Sequence, residues 1–363
     1  MDLRPNEQQA MLRESARRFL REEYAFEKRR AYLRDGAGDL WARIAALGWP
    51  GAVLPEDAGG LGGSVVELAI LMEEMGRALY VGPFLSTAVC AAMLRSVAGG
   101  RARELLERIA TCEAKVAFAH LEPAARGFFD TPTVLATGGP ASFRITGRKH
   151  LVHDFAEAEA VLVSAVTSSS QALFVLDPDA SGFARRDYKT IDNGSATDLE
   201  FDGAAVELIA EGEQTQRALD EGFYWLAIAL GAEAAGVAEG ALDHTMDYVA
   251  VRKQFGRALT DFQVVQHRIA DMFVEVEQLK SSILNAMSTQ HADRTERRRA
   301  ALGLKILAGS VAAKVAGDGL HLHGGMGMTD EMPISHFYRR ARVIETQYGN
   351  SDYFLAAYAR LLD

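Results

Sequence analysis

The chain has 363 residues, 48% of them hydrophobic and 24% charged, with a formal net charge of −10 at pH 7. That length suffices for two or three compact domains with a well-buried core, and no run approaches the roughly 18 consecutive apolar residues of a membrane span. Dispersed charges with an acidic balance argue against a general nucleic-acid surface. Met1 to Pro5 lead into a charged amphipathic pattern without the apolar core of a signal peptide, so a cytoplasmic protein is expected.

The first ~112 residues read as helices, because Met11, Ala16, Phe19 and Leu20, then Leu40, Trp41, Ile44 and Leu47, recur at helical spacing. A glycine-rich loop from Pro55 to Gly63 ends at Ser64. Its hydroxyl can cap a helix running to about Leu79, with Glu67 reaching back as a capping box. From about Ala114 the pattern changes to short β-rich runs, 115–119, 142–145, 160–166 and 172–176, separated by turn residues. After about Gln214 helical periodicity returns, and no proline lies between Pro178 and Pro333. A single helix over 217–252 would be about 54 Å long, a length that suits a bundle or a subunit interface. Thr260 with Gln263 offers a second capping box, opening a helix through about Ser288, and another helical run covers 294–320.

The expected fold class is α+β, mainly α. Its parts are an N-terminal helical domain (1–112), a middle β-barrel or sandwich domain (113–213) and a C-terminal four-helix bundle (214–363). Cys90 and Cys112 stand in apolar, helix-like sequence without metal-ligand spacing, so both are expected to be reduced core residues. None of the nine histidines forms an HExxH or similar pattern, and no metal site is expected.

The chemistry-bearing segments lie in the last third. His321-Leu322-His323-Gly324-Gly325-Met326-Gly327 follows a long helical stretch, and glycines there let backbone approach a ligand closely. Upstream stand Arg252-Lys253-Gln254-Phe255-Gly256 and Phe262-Gln263. Arg252 could pair with a pyrophosphate, Phe255 could stack beside an adenine or ribose, and Gln263 could read a polar edge. The bland alternative is that Arg252 closes a helix end and Phe255 is core.

In order and spacing these segments, with Gln266 and Ala270-Asp271-Met272, resemble the acyl-CoA dehydrogenase flavoenzyme family. Gly48-Trp49, Leu54-Pro55-Glu56, Gly59-Gly60 and Glu73-Glu74-Met75-Gly76 resemble its early helix-loop-helix pattern. The resemblance covers essentially the full length. It implies FAD as cofactor, an acyl-CoA thioester as substrate, and a homo- or hetero-oligomeric dimer or tetramer of homologous subunits. An electron-transfer flavoprotein is implied as a further partner. It also implies that Arg252, Phe255, Gln263, His321, Gly324, Gly325 and Asn350 contact the cofactor, mainly at the adenosine-pyrophosphate end of an FAD held by a neighbouring subunit.

Two segments that contact the flavin ring in the family depart from its pattern. A segment of the type Thr-Glu-Pro-Gly-Ala-Gly-Ser-Asp reads Leu121-Glu122-Pro123-Ala124-Ala125-Arg126-Gly127-Phe128 here, without hydroxyl donors and without two of the glycines. A Trp-Ile-Thr-Asn segment reads Leu151-Val152-His153-Asp154. Backbone amides could still serve the ring.

The resemblance also locates the base. Family chemistry removes a proton from Cα of the thioester while a hydride leaves Cβ for the flavin, which calls for a carboxylate over Cα. The usual glutamate position, just before Gly349, holds Tyr348, and the alternative positions in the long helix hold Leu226 and Ala227. A tyrosine with pKa ~10 would need a shift of ~3 units, about 4 kcal/mol, to act as a base near pH 7. Glu233 and Glu345 are the candidates for a relocated carboxylate. The expectation is therefore a subunit without the catalytic glutamate, resembling the small subunits of pimeloyl-CoA-type and steroid side-chain enzymes. Its partner would supply the base and most ring contacts, with FAD shared with that partner or absent from the lone chain. The alternatives are a self-sufficient homotetramer with a relocated carboxylate and a non-redox binding or structural protein on the same fold.

Overall fold

The computed structural model describes residues 5–36, 38–139 and 142–362. Residues 1–4, on which much of the signal-peptide reading rests, lie outside the described residues. The opening helices are α1 (Glu7–Glu23), α2 (Phe26–Asp35), α3 (Leu40–Ala46), α4 (Trp49–Ala52), α5 (Val65–Arg77), α6 (Phe84–Arg95) and α7 (Gly100–Ala110). Strands β1 (Val116–Ala119), β2 (Leu135–Gly139), β3 (Ser142–His153), β4 (Ala160–Val166), β5 (Gln171–Leu176), β6 (Phe183–Lys189) and β7 (Ser195–Glu211) follow. The rest is helical: α8 (Glu213–Val251), a hairpin of β8 (Lys253–Gln254) and β9 (Arg257–Ala258), α9 (Gln263–Ser288), α10 (Arg294–His323), α11 (Pro333–Thr346) and α12 (Ser351–Ala359). This is the expected α+β, mainly helical order.

Contacts divide the chain into two compact units, Gly38–Leu68 with Val81–Leu226, and Met1–Ala37 with Ala69–Tyr80 and Ala227–Asp363. In the unit that carries the strands, β2, β3, β7 and β5 pair in that order, and β5 closes antiparallel onto β4, which meets β2. β1 adds parallel to β4, and β6 adds antiparallel to β7. Ile145, Val163, Phe174, Leu199 and Phe201 fill the interior. The sequence pattern located β1, β4, β5 and the first third of β3. It missed β2, β6 and β7, because β6 is an edge strand of mostly exposed charges and β7 alternates buried and exposed residues over 17 positions.

In the other unit α8 and α5 touch backbone to backbone. A Cβ on Gly76 would meet the Glu233 carbonyl oxygen at 2.2 Å, and one on Gly236 would meet the Glu73 carbonyl oxygen at 1.9 Å. Glycine is therefore required at both positions for the helices to cross this closely.

Several local expectations hold and others need correction. Ser64 and Glu67 form the expected box, with the Ser64 amide donating to Glu67 at 2.8 Å and the Val66 amide to the Ser64 hydroxyl at 3.1 Å. The box at Thr260 is not formed. Residues 259–261 make a 3-10 turn, α9 begins at Gln263 without a side-chain cap, and the Thr260 carbonyl accepts from Gln266 at 2.7 Å. Met11 and Leu47 are exposed rather than core. Cys90 is buried, and burial pushes its thiol up. Cys112 is half-buried just past the end of α7 with φ of +66° instead of lying in a core helix. By length and composition α8 and the 294–328 run are apolar enough to cross a membrane, yet 94% of the most apolar window of α8 is buried within the protein.

Candidate functional site

The end of α8, the β8–β9 hairpin, the start of α9 and the end of α10 are tied together in one unit. The Leu259 amide donates to the Arg252 carbonyl at 2.9 Å, Arg268 on α9 contacts His321 on α10 at 3.0 Å, and Tyr248 on α8 stacks on His323 with centroids 4.2 Å apart. Around this frame Arg252, Gln263, His321, Gly324 and Gly325 are all exposed. The Arg252 side chain makes no ion pair or hydrogen bond among the described residues, and Phe255 is 92% exposed at a hairpin tip with φ of +52°. A core role for Phe255 is thereby excluded. An exposed aromatic ring and an uncommitted guanidinium at one end of the bundle are the chemistry that an adenosine and a pyrophosphate require. Gly327 differs from its neighbours, since it is buried and packs against Leu320 and His323.

Asn350 has a local task, capping α12 by accepting from the Tyr353 amide at 2.9 Å. The turn before it carries Tyr348, 5% exposed, with φ of +59°, followed by Gly349 at +129°. Beneath this turn lies a residue that the sequence reading passed over. Lys305 of α10 is 1% exposed, donates to the Ile344 carbonyl at 2.9 Å and lies 5.2 Å from the Phe354 ring centroid. Burial lowers its ammonium to about 7, against a smaller opposing pull from Glu345. A lysine within the apolar run Leu302 to Leu307 was the available signal, because a charge is kept in a helix core only where partners satisfy it.

Neither relocated-base candidate is a free carboxylate. Glu233, 2% exposed, is gripped by Arg340 through two hydrogen bonds of 2.6 and 2.8 Å. Glu345 pairs with Arg342 one turn earlier on α11. Leu226 and Ala227 are fully buried apolar residues. Glu221 accepts from the Trp225 indole at 3.0 Å.

In the strand-bearing unit the segment 121–128 is tied into a buried polar network. Lys149 donates to Glu122 at 2.8 Å, to the His120 carbonyl at 2.9 Å and to the Ser164 hydroxyl at 3.1 Å. Glu122 also accepts from the amides of Thr133 and Val134. Burial alone would raise its carboxyl, but Lys149 and these donors bring it below its ordinary value. Burial lowers the Lys149 ammonium to about 8 despite Glu122. His120 lies between the Phe128 carbonyl, 2.7 Å from Nε2, and the Ser164 hydroxyl, 2.8 Å from Nδ1. Since a carbonyl only accepts, the proton belongs on Nε2, and Nδ1 accepts from Ser164.

Burial, reinforced by Lys149, holds His120 at about 4, below the ~6.5 of an unfolded chain. Between these values the unfolded chain binds the extra proton more readily. The stabilisation is therefore present above pH ~6.5 and lost as pH falls towards about 4, with a magnitude of up to about 3 kcal/mol. Denaturation midpoints measured from pH 7 to 4.5 should fall more steeply for the native chain than for His120→Gln. Parallel profiles would show that His120 does not contribute.

For the FAD that the resemblance implies, the residues at the bundle end fit, offering the exposed Phe255 ring, the Arg252 guanidinium, which has no partner among the described residues, and an exposed His321 already in contact with Arg268. The residues of the two ring-side segments do not. The Arg126 and Gly127 amides both donate to Asp130, and the Leu151 amide donates to Asp198.

Comparison with known proteins identifies the family. Residues 6–113 match the acyl-CoA dehydrogenase N-terminal domain and residues 216–362 the acyl-CoA dehydrogenase C-terminal domain. The chain is 26% identical to the caffeyl-CoA reductase-Etf complex subunit CarC of Acetobacterium woodii over 95% of this chain and 96% of that one. It is 28% identical to acyl-CoA dehydrogenase FadE27 of Mycobacterium tuberculosis over 86% and 85%. Among solved structures, a variant of the Tcur3481-Tcur3483 steroid ACAD superposes with a TM-score of 0.90 at 28% identity, covering 98% of each chain. With two family domains matched, and the same fold over nearly its whole length, the chain belongs to the acyl-CoA dehydrogenase family.

Proposed function

We propose that this chain is one subunit of a hetero-oligomeric FAD-dependent acyl-CoA dehydrogenase and that a homologous partner subunit supplies the catalytic carboxylate. The observation that carries the proposal is the pairing of a buried Tyr348 at the family's glutamate position with the commitment of Glu233 to Arg340. A carboxylate held by two charge-assisted hydrogen bonds is a weak base and is not free to reach a substrate Cα. FAD, when bound, supplies the hydride acceptor for Cα–Cβ desaturation of the thioester. On this reading Arg252 holds pyrophosphate, Phe255 packs beside adenosine, and Gln263, His321, Gly324 and Gly325 complete that edge. Asn350 holds the turn at the start of α12. The names of two similar proteins, the Tcur3481-Tcur3483 steroid ACAD and the caffeyl-CoA reductase-Etf complex subunit, support assembly with a second subunit and electron exchange with an electron-transferring flavoprotein.

Purified alone, the chain should not oxidise saturated acyl-CoAs of any length above background. Turnover by the lone chain that is abolished by Glu345→Gln or Glu233→Gln would favour the self-sufficient homotetramer instead. Absence of flavin absorbance from the complex recovered with its native partner would leave the non-redox reading.

A further inference from the structure

We infer that the flavin-ring cradle of this chain is closed from within, by the Asp130 and Asp198 carboxylates on its amides and by an aromatic plug of Phe128, Phe129 and Phe223. The inference rests on the reading of the chain as an acyl-CoA dehydrogenase subunit and adds that its own ring site is self-occupied, not merely poorer in side-chain donors.

An isoalloxazine ring presents carbonyl oxygens and ring nitrogens along one edge, and the protein must meet that edge with N–H or O–H donors. Residues 121–130 contain no hydroxyl side chain, so apart from the exposed Arg126 guanidinium only backbone amides remain. Successive amides in a turn form a concavity suited to an acceptor or anion. Here the amides of Arg126 and Gly127 converge on Asp130 Oδ2, the second at 3.1 Å. In the other segment the Leu151 amide, at a residue with φ of +53°, donates to Asp198 at 3.1 Å. The His150 amide is taken by the Leu121 carbonyl at 2.8 Å and the Asp154 amide by the Ser195 carbonyl at 3.2 Å. Burial would raise Asp198, but Arg186, the Leu151 amide and Tyr188 outweigh it and hold the carboxyl at about 2. Asp198 therefore remains an acceptor through the physiological range.

The apolar side is filled as well. Phe129 stands edge-on to Phe223 of α8 at 4.6 Å, and Phe128 lies 5.3 Å from the same ring and 4.8 Å from His120. Phe128 and Phe223 are 3% and 2% exposed. The loop thus folds back onto its own unit, where a planar ligand would need both aromatic contacts and amide donors.

The test uses the purified full-length chain and riboflavin, which carries the ring without adenosine or pyrophosphate. Native chain should give no saturable quenching of riboflavin fluorescence. In hydrogen exchange, the Arg126 and Gly127 amides should be protected without flavin and gain no protection with saturating FAD. A folded Asp130→Ala/Phe129→Ala variant should acquire saturable riboflavin quenching. Quenching by the native chain, new FAD-dependent protection at 126 and 127, or a folded double variant that still ignores riboflavin would each overturn the closure. If the double variant does not fold, the native-chain quenching and exchange results decide. The subunit reading fails on a different result, a recovered complex that lacks flavin or does not act on acyl-CoA.

Discussion

Glu233→Ala should lower the stability of the chain by about 3–5 kcal/mol, the range expected when one partner of a buried ion pair is removed and the other charge is left behind. The Glu233 and Arg340 side chains are 3% and 12% exposed, so solvent replaces little of the lost partner. The carbonyl of Glu233 sits against Gly76, so the residue lies at the closest crossing of α5 and α8. Damage should spread to that packing. Glu233→Leu combined with Arg340→Met should recover much of the loss, since both charges leave together and volume is retained. Chemical-denaturation midpoints of the three variants provide the measurement. If Glu233→Ala left stability unchanged and instead abolished turnover, Glu233 would be the relocated base and the subunit proposal would fall.

Arg252→Ala should weaken FAD binding by the assembled protein roughly 100-fold, because a charge-assisted bond to pyrophosphate is worth up to about 3 kcal/mol and each ~1.4 kcal/mol is tenfold in affinity. Stability should change by less than about 0.5 kcal/mol, since the side chain is exposed and holds no partner among the described residues. Flavin titration of the deflavinated complex, paired with a thermal melt, separates the two. Unchanged affinity with a lowered melting temperature would make Arg252 a helix-end residue only.

The grouping of Arg252, Phe255 and Gln263, proposed above as the nucleotide edge, was legible in the sequence because these residues lie close to helix ends and a hairpin, where local spacing controls geometry. Arg252, Phe255 and Gln263 span only twelve positions, and the hairpin of Lys253–Gln254 with Arg257–Ala258 is a local structure. The ring side was legible only as a loss of hydroxyls and glycines. That the Arg126, Gly127 and Leu151 amides are consumed depends on Asp130 and Asp198, and Asp198 reaches Leu151 only because β7 pairs with β3 across a register shift. The partners of Lys305 were hidden for the same reason, its acceptor Ile344 lying 39 positions away at the end of α11, although its place in an apolar run marked the lysine itself.

By itself the sequence determined the order of helical, β and helical regions and the Ser64–Glu67 capping box. These follow from residue type and short-range periodicity, which chain-local sterics and hydrophobic spacing translate directly into structure. Only the tertiary structure decided that Glu233 belongs to Arg340, 107 positions away, and that Phe223 plugs the 121–130 loop. An acidic side chain reads the same whether it faces solvent, substrate or an arginine. Which of these it meets is set by how distant elements pack, and that packing assigns the Glu233 carboxylate to Arg340.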